Sequence, residues 1–383
     1  MLRRDFLKNL GFIPLAMHLP SVAFAASPAD YRRLLLLIEL QGGNDGLNTV
    51  VPYADTAYYA LRPRLAIQRD AVLQLDQKVG LHPALQPLLS LWEGGEMAVV
   101  QGVGYPQPNL SHFRSIEIWD TASSSIEYLN DGWLARVFAA RAVPKSFSAD
   151  GVVVGSRELG PLVGARAIAL ANPEQFARQA RLAESDLNKT KNTALAHIIK
   201  VEGDIMRAAS GLAGSHRFQT DFPKHAFGNS LKAAAQVVAS PAGVAVVRVT
   251  HSGFDTHSGQ PGVHQRLLQE LAEGVAAFKR AMLELGRWDD TLMMTYSEFG
   301  RRPQQNASLG TDHGTANVHF VFGGRVKGGL YGQAPDLQRL EGANLVHAVD
   351  FRSLYASVVE HWWGADSRAV LNGRFATLDL LRA

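Results

Sequence analysis

Residues 291–316 read TLMMTYSEFGRRPQQNASLGTDHGTA. The apolar run Leu292-Met293-Met294 leads into Ser297-Glu298-Phe299-Gly300-Arg301, and Gly310-Thr311-Asp312-His313-Gly314 follows. Two carboxylates and an imidazole thus arrive on glycine-rich turns just after a predicted strand. In open α/β sheets, ligands bind outside the carboxyl ends of the strands. Asp, Glu and His are also the side chains that borderline and hard divalent cations take as ligands. For any one of these residues an exposed polar loop is the plainer reading. The cluster, with a second at Phe254-Asp255-Thr256-His257, favours a metal site.

The surrounding chain supplies the sheet. Residues 33–40, RLLLLIEL, form an apolar run that suits a strand buried on both faces, and it ends at a turn delivering Asp45. Leu81 to Trp92 reads as a helix and Met97 to Val103 as a second buried strand. A proline-rich loop then delivers Ser111-His112, with Ser111 in the N-cap position of a helix. A further helix begins at Asp131-Gly132-Trp133, and short Val- and Ala-rich strands fall between Gly151 and Ala171. Residues 172–238 read as a helical insertion. Gly243 to Thr250 is a strand, Gln265 to Leu285 an amphipathic helix, Thr291 to Tyr296 and Val318 to Phe322 strands, and Asp350 to Trp363 a closing helix. This alternation predicts an α/β fold in three layers: a mostly parallel sheet with helices on both faces, and one domain over residues 30–383.

Composition narrows the function classes. The chain has 383 residues, 46% hydrophobic and 19% charged, ordinary values for a globular protein with a sizeable core. Of the formal charge of +3, Arg3, Arg4 and Lys8 against Asp5 contribute +2, and no basic stripe accompanies the rest, so nucleic acid is not an expected partner. Residues 1–25 read as an export signal. Arg3-Arg4-Asp5-Phe6-Leu7-Lys8 resembles a twin-arginine motif, Leu10 to Ala25 is apolar, and Ala23-Phe24-Ala25 fits a cleavage site. The translocase for such signals is therefore an expected partner. The expected location is periplasmic or secreted, with no stable membrane span after cleavage. Cysteine is absent, which excludes disulfides, thiolate ligands and a cysteine nucleophile.

Four strand-end turns carry chemistry: Asp45, Ser111-His112, Asp255 with His257, and Glu298 with Asp312-His313. Strand ends of a parallel sheet converge on one edge, so four such turns weigh more than one. Asp255 and His257 can face one ion from an irregular turn, or form an Asx-turn beside a solvent-facing histidine. Ser111 at a helix N-terminus has the setting of a nucleophile, against which stands a plain N-cap serine. Arg114 and Arg301 could hold a phosphate or sulfate bidentately. A serine-esterase reading is weak, since no Gly-x-Ser-x-Gly elbow is present.

GVAVVRVTHSGFDTH, the 265–285 helix, TLMMTYSEFGR and GTDHGTANVHFVFGG together resemble the C-terminal half of the alkaline phosphatase–sulfatase–phosphoglycerate mutase superfamily. On GGNDGLNTVVPY, PNLSHFRS, DGWLAR, FDTH, SEFGRR, GTDHG and KGGLYG, the whole chain resembles a bacterial family of twin-arginine-exported, sulfatase-like proteins within that superfamily. The resemblance implies an alkaline phosphatase/sulfatase-like fold and divalent metal (Zn, Ca, Mg or Mn) in two adjacent sites. The metal ligands would come from Asp45, Asp255, His257, Glu298, Asp312 and His313. Ser111 would be the nucleophile and Arg301 would steady the reacting group. Either Ser297-Glu298 replaces the usual Asp-His pair and His313 is the final ligand, or Asp312-His313-Gly314 is itself the Asp-His motif. The implied activity is metal-dependent hydrolysis of a phosphate or sulfate ester, small or polymeric. A non-catalytic metal-binding or surface-assembly protein is the alternative on the same fold.

Overall fold

The computed structural model describes residues 29–170 and 216–382. The export signal at 1–25 and residues 172–215 of the expected insertion lie outside the described residues.

The apolar runs become sheet strands. In chain order they are β1 (Leu34–Gln41), β2 (Met97–Gly104), β3 (Gly151–Val154), β4 (Ala167–Leu170), β5 (Val246–Ser252) and β6 (Thr291–Tyr296). Then come β7 (Gly300–Gln305), β8 (Thr311–Gly314), β9 (Asn317–Phe322), β10 (Gly329–Gly332) and β11 (Val349–Asp350). One sheet holds nine of them in the order β10-β2-β9-β6-β1-β5-β3-β4, with β11 also on β2, while β7 and β8 form a separate hairpin. β1 is central and parallel to both neighbours, pairing Leu35 with Val246 and Leu34 with Thr291. Among the described strands of this sheet, β9 alone runs antiparallel, against both β2 and β6. Two reversals restore direction, so β1, β2, β5 and β6 all point their carboxyl ends to one edge.

The helices cover both faces. They are α1 (His112–Thr121), α2 (Trp133–Ala140), α3 (Ala226–Ala239), α4 (Gln260–Glu284) and α5 (Phe351–Ser357). Side chains alternate along a strand, and β1 shows this directly. Leu34, Leu36, Ile38 and Leu40 pack with α3 and α4, whereas Leu35 and Leu37 pack with α1, α2 and α5. Each fully buried aliphatic side chain stabilises by roughly 1.5–3 kcal/mol. A strand apolar on both faces is therefore held firmly in the middle layer.

Two expectations need correction. The helix over Leu81–Trp92 is a 3-10 segment, Pro83–Leu88, followed by a short α-helix, Leu89–Glu93. Pro87 has no N–H for the α ladder, which favours the tighter turn. The stretch after β6 is not two free turns. β7 and β8 pair antiparallel, with Arg301 opposite His313.

Candidate metal centre

Three imidazoles meet at the carboxyl edge of the sheet. His112 opens α1 beyond β2, His257 follows β5, and His313 stands on β8. Asp255 lies among them. Its Oδ1 is 3.1 Å from His257 Nε2 and 3.3 Å from His313 Nε2, and its Oδ2 is 3.5 Å from His112 Nε2. The Nε2 atoms of His257 and His313 are 2.9 Å apart. His112, Asp255 and His313 each offer a ligand atom within 4.8 Å of the others. For comparison, tetrahedral ligands about 2.0–2.1 Å from an ion stand about 3.3 Å from one another.

What lies behind each ring explains why Nε2 faces inward. His112 Nδ1 is 2.7 Å from Glu298 Oε1, His257 Nδ1 is 3.5 Å from Asp312 Oδ1, and His313 Nδ1 is 2.9 Å from the Leu110 carbonyl. An oxygen that takes the Nδ1 proton leaves the Nε2 lone pair for a metal. Glu298 is itself fixed. Buried at the end of β6, it accepts the Gly42 N–H at 2.9 and 3.1 Å through its two oxygens. Asp255 is set by Arg301, whose Nη2 donates to Oδ1 at 2.6 Å. Phe299 packs against the rings of both His112 and His313.

The electrostatics fit this arrangement. The hydrogen bond to Glu298 raises the pKa of His112, with burial opposing. Burial lowers His313, which keeps its ring neutral. Burial works to raise Asp255, but the hydrogen bond and charge of Arg301 outweigh it and leave the carboxyl lowered. The Asn306 hydrogen bond lowers Asp312.

Several residues stand where the sequence did not place them. Glu298 and Asp312 sit behind His112 and His257, so they orient rings instead of facing the shared space. Asp45 is fully buried, with both oxygens bonded to Arg62 at 2.6 and 2.9 Å and a further bond from Gln260. Its carboxylate serves a buried ion pair. Arg301 is 1% exposed. It bonds the carbonyls of Gly42, Gly43, Phe254 and Thr311 as well as Asp255, so this buried guanidinium is committed to the backbone and to Asp255. Arg114 is held by Glu117 and by the carbonyls of Ser124, Ser125 and Glu127, and lies over Tyr128. Ser111 is the exposed N-cap of α1 and its hydroxyl makes no capping bond. His264 is buried against Asn44. The residue that the sequence placed on a chemistry-bearing turn but not among the ligands is His112. Its signal was present, an imidazole in the first turn of a helix beyond a strand, but the adjacent serine drew the same inference.

A mostly parallel α/β sheet with a His/Asp cluster at its carboxyl edge defines the class of protein. The chain belongs to the family described as "Protein of unknown function (DUF1501)", whose model matches residues 96–373. No curated protein matches the chain in sequence. Among solved structures it is similar to Ps i-CgsB, at 10% identity over 88% of this chain and 74% of that one, with a TM-score of 0.41. It is also similar to the C-terminal periplasmic domain of EcEptC from Escherichia coli in complex with Zn, at 10% identity over 77% and 74%, TM-score 0.36. Alkaline phosphatase from the Antarctic bacterium TAB5 is similar at 10% identity over 77% and 92%, TM-score 0.32. At these identities and scores the chemistry must be argued from this chain's own residues.

Proposed function

We propose that this chain is an exported, metal-dependent hydrolase of a phosphate or sulfate ester. The observation that carries the reading is the convergence of three Nε2 atoms on Asp255, each ring backed by an oxygen at Nδ1. Nitrogen and carboxylate donors in this number suit zinc or a similar divalent ion. His112, His313 and Asp255 would hold it, with His257 beside them. A bound divalent ion there supplies Lewis acidity and lowers the pKa of a coordinated oxygen.

The chain's own residues then have distinct tasks. Ser111, exposed and next to His112, is the nucleophile of this reading. Glu298, Asp312 and the Leu110 carbonyl fix the tautomers, and Arg301 holds Asp255 ionised and oriented. The twin-arginine signal at 1–25 would take the folded domain, residues 30–383, through its translocase to the periplasm or beyond. Among the described residues no helix is long and apolar enough to cross a membrane.

A second reading has its own support. With His257 as a fourth ligand a tetrahedral ion would be closed, as in structural sites, whereas catalytic sites keep a position open. The alternative is therefore a non-catalytic metal-binding protein. Metal analysis of protein purified without chelator, with phosphatase and sulfatase panels on wild type and Ser111→Ala, separates the two. Bound metal with Ser111-dependent turnover supports the hydrolase. Metal without turnover of any ester supports the alternative, and no metal overturns both.

A further inference from the structure

A cleft of about 330 Å³ opens beside Asp255, between the end of β1 and the first turns of α1. Its walls include Glu39, Gln41, His112, Phe113, Ile116 and Asp255, with Glu298 behind. Odd-numbered β1 side chains face α1, so Glu39 and Gln41 point to the side on which the cleft lies. None of the described lining residues is a lysine or arginine.

Glu39 is the informative member. It is 2% exposed, yet it lines the cleft floor. Its Oε2 accepts from Arg248 at 2.6 Å and from Thr250 at 2.8 Å. No described group donates to Oε1. Oε1 is not among the fully buried atoms that lack a partner, so it opens on the cleft, where a ligand or water can donate to it. The guanidinium groups nearby are already committed. Arg248 bonds Glu39, Tyr296 and the Glu158 carbonyl, and Arg301 is buried and bonded to four carbonyls and Asp255. At the mouth, Phe113 is 89% exposed and offers an aromatic face. Aromatic faces attract cations within about 6 Å.

We propose that this cleft is a subsite for a cationic, N–H-bearing group, an ammonium or amidinium, with Glu39 Oε1 as its acceptor and Phe113 as its cover. Naming that group as part of the substrate rests on the hydrolase reading; the binding does not. On that reading the ester's charged oxygens face the His/Asp cluster while a basic substituent occupies the cleft. A simple anionic monoester lacks the part the cleft recognises.

The test uses an isosteric series, benzylammonium, benzyl alcohol and benzoate, titrated calorimetrically into the full-length mature protein at pH 7. The variants are Gln41→Lys, Phe113→Ala and Glu39→Gln, each checked by thermal unfolding. We expect benzylammonium to bind at least ten-fold more tightly than benzoate. Gln41→Lys, at an exposed position on the cleft wall, is expected to abolish that preference, and Phe113→Ala to weaken benzylammonium several-fold. Equal or tighter binding of benzoate to wild type, or an unchanged preference in Gln41→Lys, overturns the proposal. Glu39→Gln is informative only if its unfolding matches wild type, and Gln41→Lys keeps the question decidable otherwise. The readout needs no turnover, so absence of hydrolysis counts against the ester reading alone.

Discussion

His112 shows how one side chain is assigned by its surroundings. In sequence it is one more histidine after a serine; in the fold its Nδ1 meets a buried carboxylate and its Nε2 meets Asp255. Glu298 adds no donor atom to the centre but fixes the ring that does. Outer-shell partners of this kind change metal affinity about 10–100-fold when removed. Glu298→Gln should therefore weaken zinc binding by that factor in a chelator competition, with the far-ultraviolet spectrum unchanged. An unchanged affinity would mean that His112 is not a ligand. Asp45 is the opposite case, since the sequence marks it as a ligand and the structure gives it to Arg62. Burial pushes its carboxyl up, but the Arg62 charge and hydrogen bonds outweigh this and leave it lowered. Asp45→Ala strands a buried guanidinium, and breaking such a pair costs about 3–5 kcal/mol. The expected result is that loss in denaturant unfolding. A loss under 1 kcal/mol would show that Arg62 finds another partner.

At the scale of elements, what could be read from the sequence was set by burial. β1, the first half of β5 and β6 are mostly apolar because both of their faces are covered, and that pattern is visible in one dimension. The carboxyl-edge turns follow from the strand directions, so Asp255, His257 and His313 could be grouped without coordinates. The β7–β8 hairpin could not be read. Gly300 to Gln305 has no apolar alternation, and the hairpin is seated by Arg301 bonding to backbone carbonyls, which leaves no pattern in the sequence. Its fit is tight. A Cβ on Gly310 would lie 2.2 Å from both the carbonyl carbon and oxygen of His257. Those are backbone atoms of the turn that carries a candidate ligand. Gly310→Ala should thus part His313 from His257 while sparing the sheet. The expected outcome is loss of most bound metal at near-wild-type thermal stability. Retained metal would show that the hairpin shifts without moving β8.

For the whole molecule, the buried histidines predict its response to acid. His82, His251, His264 and His319 are all buried, and desolvation lowers them to about 4, 4, 3 and 3. His319 is the extreme case, with no partner for either ring nitrogen and Trp119 against its ring. A proton there would be a buried charge without a counter-ion. The ordinary histidine value is about 6.5. Folded values below it mean that, as pH falls, the unfolded chain takes up protons first. The stability these rings contribute is complete above about pH 6.5 and is lost progressively as pH drops toward their folded values. Each histidine contributes a slope of about 1.4 kcal/mol per pH unit, so four together give about 5 kcal/mol per unit. A domain has about 5–15 kcal/mol in total, so unfolding should come within about one to three units below pH 6.5. The measurement is denaturant unfolding from pH 7.5 to 4.5 on chelator-treated protein, which removes the titration of the metal-facing imidazoles against a bound ion. His319→Phe should reduce the steepness by about one proton, since it keeps an aromatic ring and deletes the titrating group. A stability that stays flat from pH 7 to pH 5 would mean that these four rings are not held neutral by burial.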